Sequence, residues 1–172
     1  LIVAGGGKFS YVLTRFESWR DPFSDISGDT AQTYQGLLAI GSGGWFGLGF
    51  GNSRQKYLYL PESQNDFIFS IVCEEVGLIG AVVIIILFCL LVWRGFVIAM
   101  RSPDKFGSLM AIGLTFQVGL QAMLNIWVVT NTIPNTGISL PFISYGGTSV
   151  LFLMAEMGLA LSVARGIKLD VV

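Results

Sequence analysis

The chain has 172 residues, of which 53% are hydrophobic and 12% are charged, and its mean hydropathy is +0.70. Because soluble domains carry about 25% charged residues, this composition excludes an ordinary soluble domain and indicates a lipid environment. The net charge of −1 gives no electrostatic basis for nucleic-acid binding, and the absence of histidine removes the commonest general base and zinc ligand.

Hydrophobic runs divide the chain into membrane-spanning and connecting segments. A spanning helix needs about 20 apolar residues, and residues 67–93, 106–129 and 147–164 meet this requirement. Residues 1–16 are predicted to be the end of a further spanning or interfacial helix. The chain begins Leu-Ile-Val without Met or a basic segment, so no signal peptide is visible, and we expect it to start partway through a helix of a longer protein. The predicted fold is an all-α polytopic membrane protein with three full spanning helices and part of a fourth.

The connecting segments differ in charge, which predicts their side of the membrane. The short connection 94–105 carries Arg94, Arg101 and Lys105, and the tail 165–172 carries Arg165 and Lys168. By the positive-inside rule, both segments lie in the cytoplasm. The large segment 17–66 and the connection 130–146 are then extracytoplasmic.

The large segment contains two motifs that resemble ligand sites. The glycine-rich run 41–51 is not a dinucleotide-binding motif, because Phe46 stands where the last glycine would fall. We expect a loop packed close to other backbone. Asp21, Asp25 and Asp29 do not match an EF-hand loop and are interpreted as turn residues, with a metal site as the alternative.

Asp66 is the main catalytic candidate, at the outer end of the first complete spanning helix. Asn65 or Asp66 is expected to cap that helix, since Asn and Asp are preferred N-caps and the helix dipole favours a carboxylate there. Capping and catalysis are compatible, because a carboxylate that stays ionised near pH 7 can accept a proton or bind a cation. In a helix, Ser70, Cys73 and Gly77 share the face of Asp66, which predicts a cavity or a close helix contact.

Polar residues inside the predicted helices form a second group of candidates: Glu74, Glu75, Gln117, Gln121, Asn125 and Glu156. We expect one of the adjacent glutamates to face a cavity and the other to pair with a basic residue elsewhere in the longer protein. The amides recur every four residues, which indicates interhelical hydrogen bonding or a cavity lining. Glu156 is either a functional carboxylate or a protonated structural group, with Gln117 as a candidate partner.

Cys73 and Cys89 lie in one predicted helix, roughly 24 Å apart, which is too far for a disulfide. The connection 130–146 is unusually apolar, yet Pro134, Gly137 and Pro141 prevent a continuous helix. Since non-helical backbone at membrane depth needs protein or water around it, a re-entrant loop lining a polar cavity is predicted.

Together these motifs resemble the SEDS family of bacterial membrane proteins (shape, elongation, division and sporulation), which includes FtsW, RodA and SpoVE. The matching motifs, in family order and over nearly the whole chain, are RFESWRDPF at 15–23, the glycine-rich run at 41–51, GNSRQK at 51–56, LPE at 60–62, DFIF at 66–69, EEVGLIG at 74–80 and LPFISYGGTS at 140–149. The GNSRQK motif is more similar to the FtsW and SpoVE branch than to RodA. Asn65 departs from the family, in which a Thr commonly precedes the Asp.

The resemblance implies a protein of about ten spanning helices in the bacterial cytoplasmic membrane, with both ends cytoplasmic, of which this chain would supply the last four. It implies polymerisation of lipid II into glycan strands, in cell division or sporulation, beside a class B penicillin-binding protein. Asp66 matches the Asp taken as essential for glycosyl transfer, and the fragment alone is expected to be inactive. Candidate substrate-binding residues are Arg15, Arg20, Arg54, Lys56, Glu62 and Ser144.

Glycosyl transfer needs a carboxylate base on the attacking side and positive charge at the leaving diphosphate. Asp66 is predicted to be the base. The positive charge at the diphosphate is assigned either to one of the four cationic candidates or to a divalent cation, Mg or Mn. One alternative is a flippase or transporter of the lipid-linked precursor, in which Glu156 would be essential. The other is a non-catalytic scaffold of the division machinery, in which both carboxylates would be replaceable.

Overall fold

A computed structural model describes residues 16, 19–21, 23, 31–53 and 66–167. These residues form four helices and no strand: α1 (Ala31–Gly43), α2 (Ile68–Arg101), α3 (Lys105–Val129) and α4 (Gly147–Arg165). Helices α2, α3 and α4 are long and apolar enough to cross a membrane. α2 packs against α1 and α3, and α4 packs mainly against α3. The predicted all-α membrane fold is confirmed.

The first spanning helix is longer than the predicted span 67–93. It continues to Arg101, and only residues 102–104 separate it from α3, so most of the predicted connection 94–105 is helical. Ser102 leaves the helix with φ −66° and ψ 130°, because a residue before proline, here Pro103, disfavours the α conformation. The prediction ends the span at residue 93, before Arg94, but a long arginine side chain reaches the membrane surface from within a helix.

Helix α3 ends in a Schellman motif that redirects the chain. Asn131 takes a left-handed φ of 55°, its amide donates to the Val128 carbonyl at 2.9 Å, and the Thr132 amide donates to the Trp127 carbonyl at 2.8 Å. This pattern satisfies the last carbonyls of a helix. Asn131 and Trp19 also exchange hydrogen bonds of 3.1 and 3.2 Å between their side chains and carbonyls, so the end of α3 lies beside Trp19.

Helix α2 is broken near its start, at Gly77, where φ is 74° and ψ is −172°. In an uninterrupted helix the amides of Leu78 and Ile79 would donate to the carbonyls of Glu74 and Glu75. Gly77 stands about 14 Å along the helix from Ile68, so the break lies at membrane depth. Unpaired backbone groups are costly there.

The glycine-rich segment, which we define as residues 43–53, fills this break with its own backbone. The amides of Leu48 and Gly49 donate to the two carbonyls of the break at 2.9 Å each, and the two amides of the break donate to the carbonyls of Gly44 and Trp45 at 2.9 and 3.3 Å. Four hydrogen bonds to the segment thus stand where a continuous helix would form two. Every backbone group freed by these two lost bonds has a partner.

Close approach of the two backbones depends on small residues. A β-carbon at Gly43 would overlap the Cys73 carbonyl, and one at Gly47 would overlap the Glu75 carbonyl. The expected loop packed against other backbone is confirmed by these contacts. The small face of α2 around Cys73 is accordingly a close helix contact with α1, which packs beside the first turns of α2.

Candidate functional site

Asp66 and the connection 130–146 meet at one end of the helix bundle. Asp66 precedes α2, while α3 ends and α4 begins at the same level. The opposite end of the bundle carries the basic residues Arg101, Lys105 and Arg165. Asp66 and these cations are therefore separated by the length of the spanning helices.

Asp66 does not cap α2. The helix begins at Ile68, and its N-cap is Phe67, which makes no side-chain capping hydrogen bond. The first turn is closed by the main chain, with the Ser70 amide donating to the Phe67 carbonyl at 3.0 Å. The predicted capping role is therefore wrong for Asp66, because burial of the Phe67 ring, 2% exposed, brings the chain into the helix one residue later. Asn65 lies outside the described residues.

The Asp66 carboxylate borders the backbone of Gly137. Its Oδ2 atom is 3.6 Å from the position that a β-carbon on Gly137 would occupy. Gly137 is exposed and has a φ of 70°, and its amide donates to Asn135 Oδ1 at 3.0 Å. Because Asp66 is half-buried and this neighbour is exposed, the carboxylate lies at the rim of the protein.

The connection 130–146 enters the bundle and is held there by side-chain amides of α3. Gln121 Nε2 donates to the Ser139 carbonyl at 3.1 Å, and Asn125 Nδ2 donates to the Ile138 carbonyl at 2.7 Å. Gln121 lies about 12 Å along the helix from Val129, so the connection descends roughly two turns below the end of α3. These two amides bind the non-helical backbone of the connection, whereas the sequence predicts hydrogen bonds between helices or a cavity lining.

Ser144 stabilises a turn within this connection. The Leu140 amide donates to Ser144 Oγ at 2.7 Å, and the Ser144 amide donates to the Leu140 carbonyl at 3.2 Å. Both residues are buried. The Ser144 hydroxyl is directed into this turn, and its contact with substrate stays a prediction.

The remaining amide of the stripe pairs with the intramembrane carboxylate of α4. Gln117 Nε2 donates to Glu156 Oε1 at 3.2 Å, which is the pairing the sequence suggests. Glu156 stands about 14 Å from the start of α4. Its second oxygen, Oε2, is buried and has no hydrogen-bond partner among the described residues.

The adjacent glutamates of α2 have different surroundings. Ser53 Oγ donates to Glu74 Oε2, and both residues are buried. Glu75 is half-buried, and its Oε1 atom has no hydrogen-bond partner in the described part of the chain. Ser53 is not among the residues predicted from the sequence, where its signal is its place in the GNSRQK motif at 51–56.

The other predicted site residues are only partly described. Arg20 is exposed, whereas Arg15, Arg54, Lys56 and Glu62 lie outside the described residues. Cys73 and Cys89 are both free, as the helical spacing predicts. Within the described ranges, no group of three or more His, Cys, Asp or Glu side chains could hold a metal ion.

Known proteins resemble this chain over most of its length. A family model described as "cell cycle protein", for FtsW, RodA and SpoVE, matches residues 6–168. Stage V sporulation protein E of Bacillus subtilis is 48% identical over 90% of this chain and 42% of that protein. The probable peptidoglycan glycosyltransferase FtsW of the same organism is 45% identical over 91% of this chain and 39% of that protein. The chain thus spans about two fifths of the length of these curated relatives.

Two solved structures share the fold. A structure described as structural coordination of polymerization and crosslinking by a peptidoglycan synthase complex matches with a TM-score of 0.71 and 30% identity, over 94% of this chain and 42% of the other. A mutant of the rod shape determining protein RodA of Thermus thermophilus matches with a TM-score of 0.59 and 35% identity, over 78% of this chain and 41% of the other.

Proposed function

The chain belongs to the FtsW, RodA and SpoVE family, and from this premise we propose that it supplies part of a peptidoglycan glycosyltransferase that polymerises lipid II in cell division or sporulation. The names of its relatives support both processes. The observation that carries the proposal is the position of Asp66, a half-buried residue at the end of the bundle whose carboxylate borders the exposed Gly137. A base in this position is open to a substrate whose sugar lies at the membrane surface.

Asp66 acts as the general base in the proposed reaction. It takes the proton from a sugar hydroxyl of the acceptor as that oxygen attacks the anomeric carbon of the donor. The bond from this carbon to the diphosphate breaks with inversion, and the diphosphate–lipid leaves with the electron pair. Proton transfer to Asp66 requires about 3 Å between the carboxylate and the attacking hydroxyl, which the rim position allows.

The diphosphate requires positive charge. Arg20, exposed beside Trp19, is the described cation that we assign to it, together with the cations of the RFESWRDPF and GNSRQK motifs, Arg15, Arg54 and Lys56. Guanidinium groups bind phosphate oxygens through paired hydrogen bonds. A Mg or Mn ion is the alternative source of this charge, since Mg is commonly bound by one or two carboxylates together with substrate phosphates, and no step is routed through it.

The orientation in the membrane follows from the charges at the two ends of the bundle. Arg101, Lys105 and Arg165 lie at the end opposite to Asp66, and the positive-inside rule assigns such an end to the cytoplasm. Asp66 then faces the outside of the bacterial cytoplasmic membrane, and the tail 165–172 is cytoplasmic. A class B penicillin-binding protein is the proposed partner, which the similarity to a peptidoglycan synthase complex supports.

The decisive experiment measures glycan-strand synthesis from purified lipid II by the full-length parent protein with its partner. Asp66→Ala is expected to abolish polymerisation while the folded protein still accumulates in the membrane, because the attacking hydroxyl loses its base. Asp104→Ala is the matched control, since Asp104 is an exposed carboxylate at the other end of the bundle without a side-chain capping bond. Normal synthesis by Asp66→Ala would refute the assignment.

A flippase is the second candidate, and it is favoured by the buried Oε2 atom of Glu156, which has no hydrogen-bond partner among the residues that the structure describes. An ionisable group within a spanning helix is typical of transport pathways. The two candidates differ in which carboxylate is essential. Transport predicts that Glu156→Gln stops movement of the lipid precursor across vesicle membranes while Asp66→Ala does not. Glycosyl transfer predicts that Asp66→Ala stops polymerisation while Glu156→Gln does not. If neither substitution reduces activity, the non-catalytic scaffold is the role that remains.

A further inference from the structure

Asn125 is the residue of α3 that joins the start of α2 to the connection 130–146. It is fully buried, four residues before the end of α3. Its Nδ2 atom donates to the main-chain carbonyl of Asp66 at 2.9 Å and to that of Ile138 at 2.7 Å. A single side chain therefore fixes two backbone segments that are separated by 72 residues in sequence, from 66 to 138.

The chemistry of this contact requires an amide. A primary amide nitrogen carries two hydrogens, and the two carbonyls use both. Turning the amide over would place Oδ1 against two carbonyl oxygens, so the hydrogen bonds themselves fix its orientation. Oδ1 is buried and has no partner within the described residues. The two donated bonds thus account for the amide at this position.

The two hydrogen bonds that Asn125 donates, which we call the clamp, hold the backbone of the proposed base and the backbone next to its carboxylate. Asp66 is held through its own carbonyl, and Ile138 follows Gly137, whose backbone borders the Asp66 carboxylate. The connection is further held by the bond from Gln121 to Ser139. Asn125 therefore sets the position of the Asp66 main chain relative to the backbone against which its carboxylate rests.

We infer that Asn125 is the positioning residue for the catalytic carboxylate, an inference that rests on the proposed role of Asp66. Asn125 is fully buried, so it acts through the Asp66 main chain without touching substrate. Misplacement of a catalytic group by about 1 Å costs as much as 100-fold in rate. Loss of the clamp therefore lowers kcat and leaves KM nearly unchanged.

Three variants of the full-length protein test the clamp. Asn125→Leu removes both donors at similar size, Asn125→Asp keeps the shape but presents oxygens to the carbonyls, and Asn125→Ser keeps one donor. With purified lipid II and the partner present, kcat per folded molecule is expected to fall about 10- to 100-fold for Leu and Asp and less for Ser, with KM within about twofold.

The control is Thr115→Val, which removes an equally buried hydroxyl from the same helix ten residues away and is expected to leave kcat unchanged.

The kinetic split distinguishes positioning from a merely structural role, which would reduce the amount of folded protein and leave kcat per folded molecule intact. Wild-type kcat in folded Leu or Asp variants overturns the inference, and so does a failure of all three variants to fold. If the Leu and Asp variants do not fold, Asn125→Ser decides, since a kcat equal to wild type rejects the clamp. Asp66→Ala in the same assay separates the proposed function from the role of Asn125. If the Asp66→Ala protein polymerises lipid II, the proposed function is refuted. If it is inactive while the Asn125 variants are fully active, only the positioning role of Asn125 is refuted.

Discussion

Two segments of this protein place non-helical backbone beside the spanning helices, and they are held in opposite ways. The glycine-rich segment 43–53 exchanges main-chain hydrogen bonds with the break in α2 at Gly77. The connection 130–146 is held by side-chain amides of α3, Gln121 and Asn125. The first contact depends on residues that have no side chain, whereas the second depends on side chains that donate.

The difference explains why the proposed catalytic group lies beside the second segment. Backbone packed on backbone leaves no room for change, so the glycine-rich segment suits the closure of a broken helix at membrane depth. A backbone held by side chains is positioned by individual residues, here by the two hydrogen bonds that Asn125 donates. Asp66 lies against this segment, at Gly137.

The largest effect is expected at the main-chain contact, from Gly43→Ala. The added β-carbon would overlap the Cys73 carbonyl of α2, and no side-chain rotation relieves a collision with backbone. We expect a loss of about 3 kcal/mol of stability, seen as a large fall in the melting temperature of the detergent-solubilised full-length protein and in the amount of folded protein.

Gly41→Ala is the matched control, two residues earlier in the same helix. A β-carbon there meets nothing within 4 Å in the described residues, and alanine favours a helix over glycine by roughly 0.5–1 kcal/mol. Its melting temperature is expected to stay level or rise. Equal stability of the two variants would contradict the close approach of α1 and α2.

A middle-sized effect is expected from Ser53→Ala, at the end of the glycine-rich segment. This change removes the hydroxyl that donates to the buried Glu74 carboxylate, and loss of one intramolecular hydrogen bond costs about 0.5–1.5 kcal/mol. The free energy of unfolding should fall less than in Gly43→Ala, because the main-chain bonds of the segment remain. Ser42→Ala serves as the control, since Ser42 is exposed and its hydroxyl donates to the Ala39 carbonyl within its own helix turn. A Ser53 variant as stable as this control would contradict a role for the Ser53–Glu74 bond.

The sequence predicts what apolar patterns and side-chain chemistry encode. The three spanning helices, the polar stripe and the pairing of Gln117 with Glu156 follow from hydropathy and helical spacing. The break at Gly77 does not follow, because a glycine in an apolar run is compatible with a continuous helix, and its hydrogen-bond partners lie about 30 residues earlier. The predicted capping of α2 by Asp66 is also wrong. The N-cap is Phe67, and the burial of its ring against α1 depends on tertiary packing, which the local sequence does not indicate.

The smallest effect is expected from Gln121→Leu, which tests the side-chain contact. It removes the donor to the Ser139 carbonyl, and single polar contacts inside membranes contribute about 0.6 kcal/mol. The loss should be local, because Asn125 and the turn at Ser144 still hold the connection. Hydrogen exchange is the appropriate measurement: the amides of residues 138–140 and 142–144 should exchange faster, while those of Leu48 and Gly49 stay protected by their bonds to the α2 break. Faster exchange in both segments would mean that they unfold together, and the distinction between a backbone-held and a side-chain-held segment would then fail.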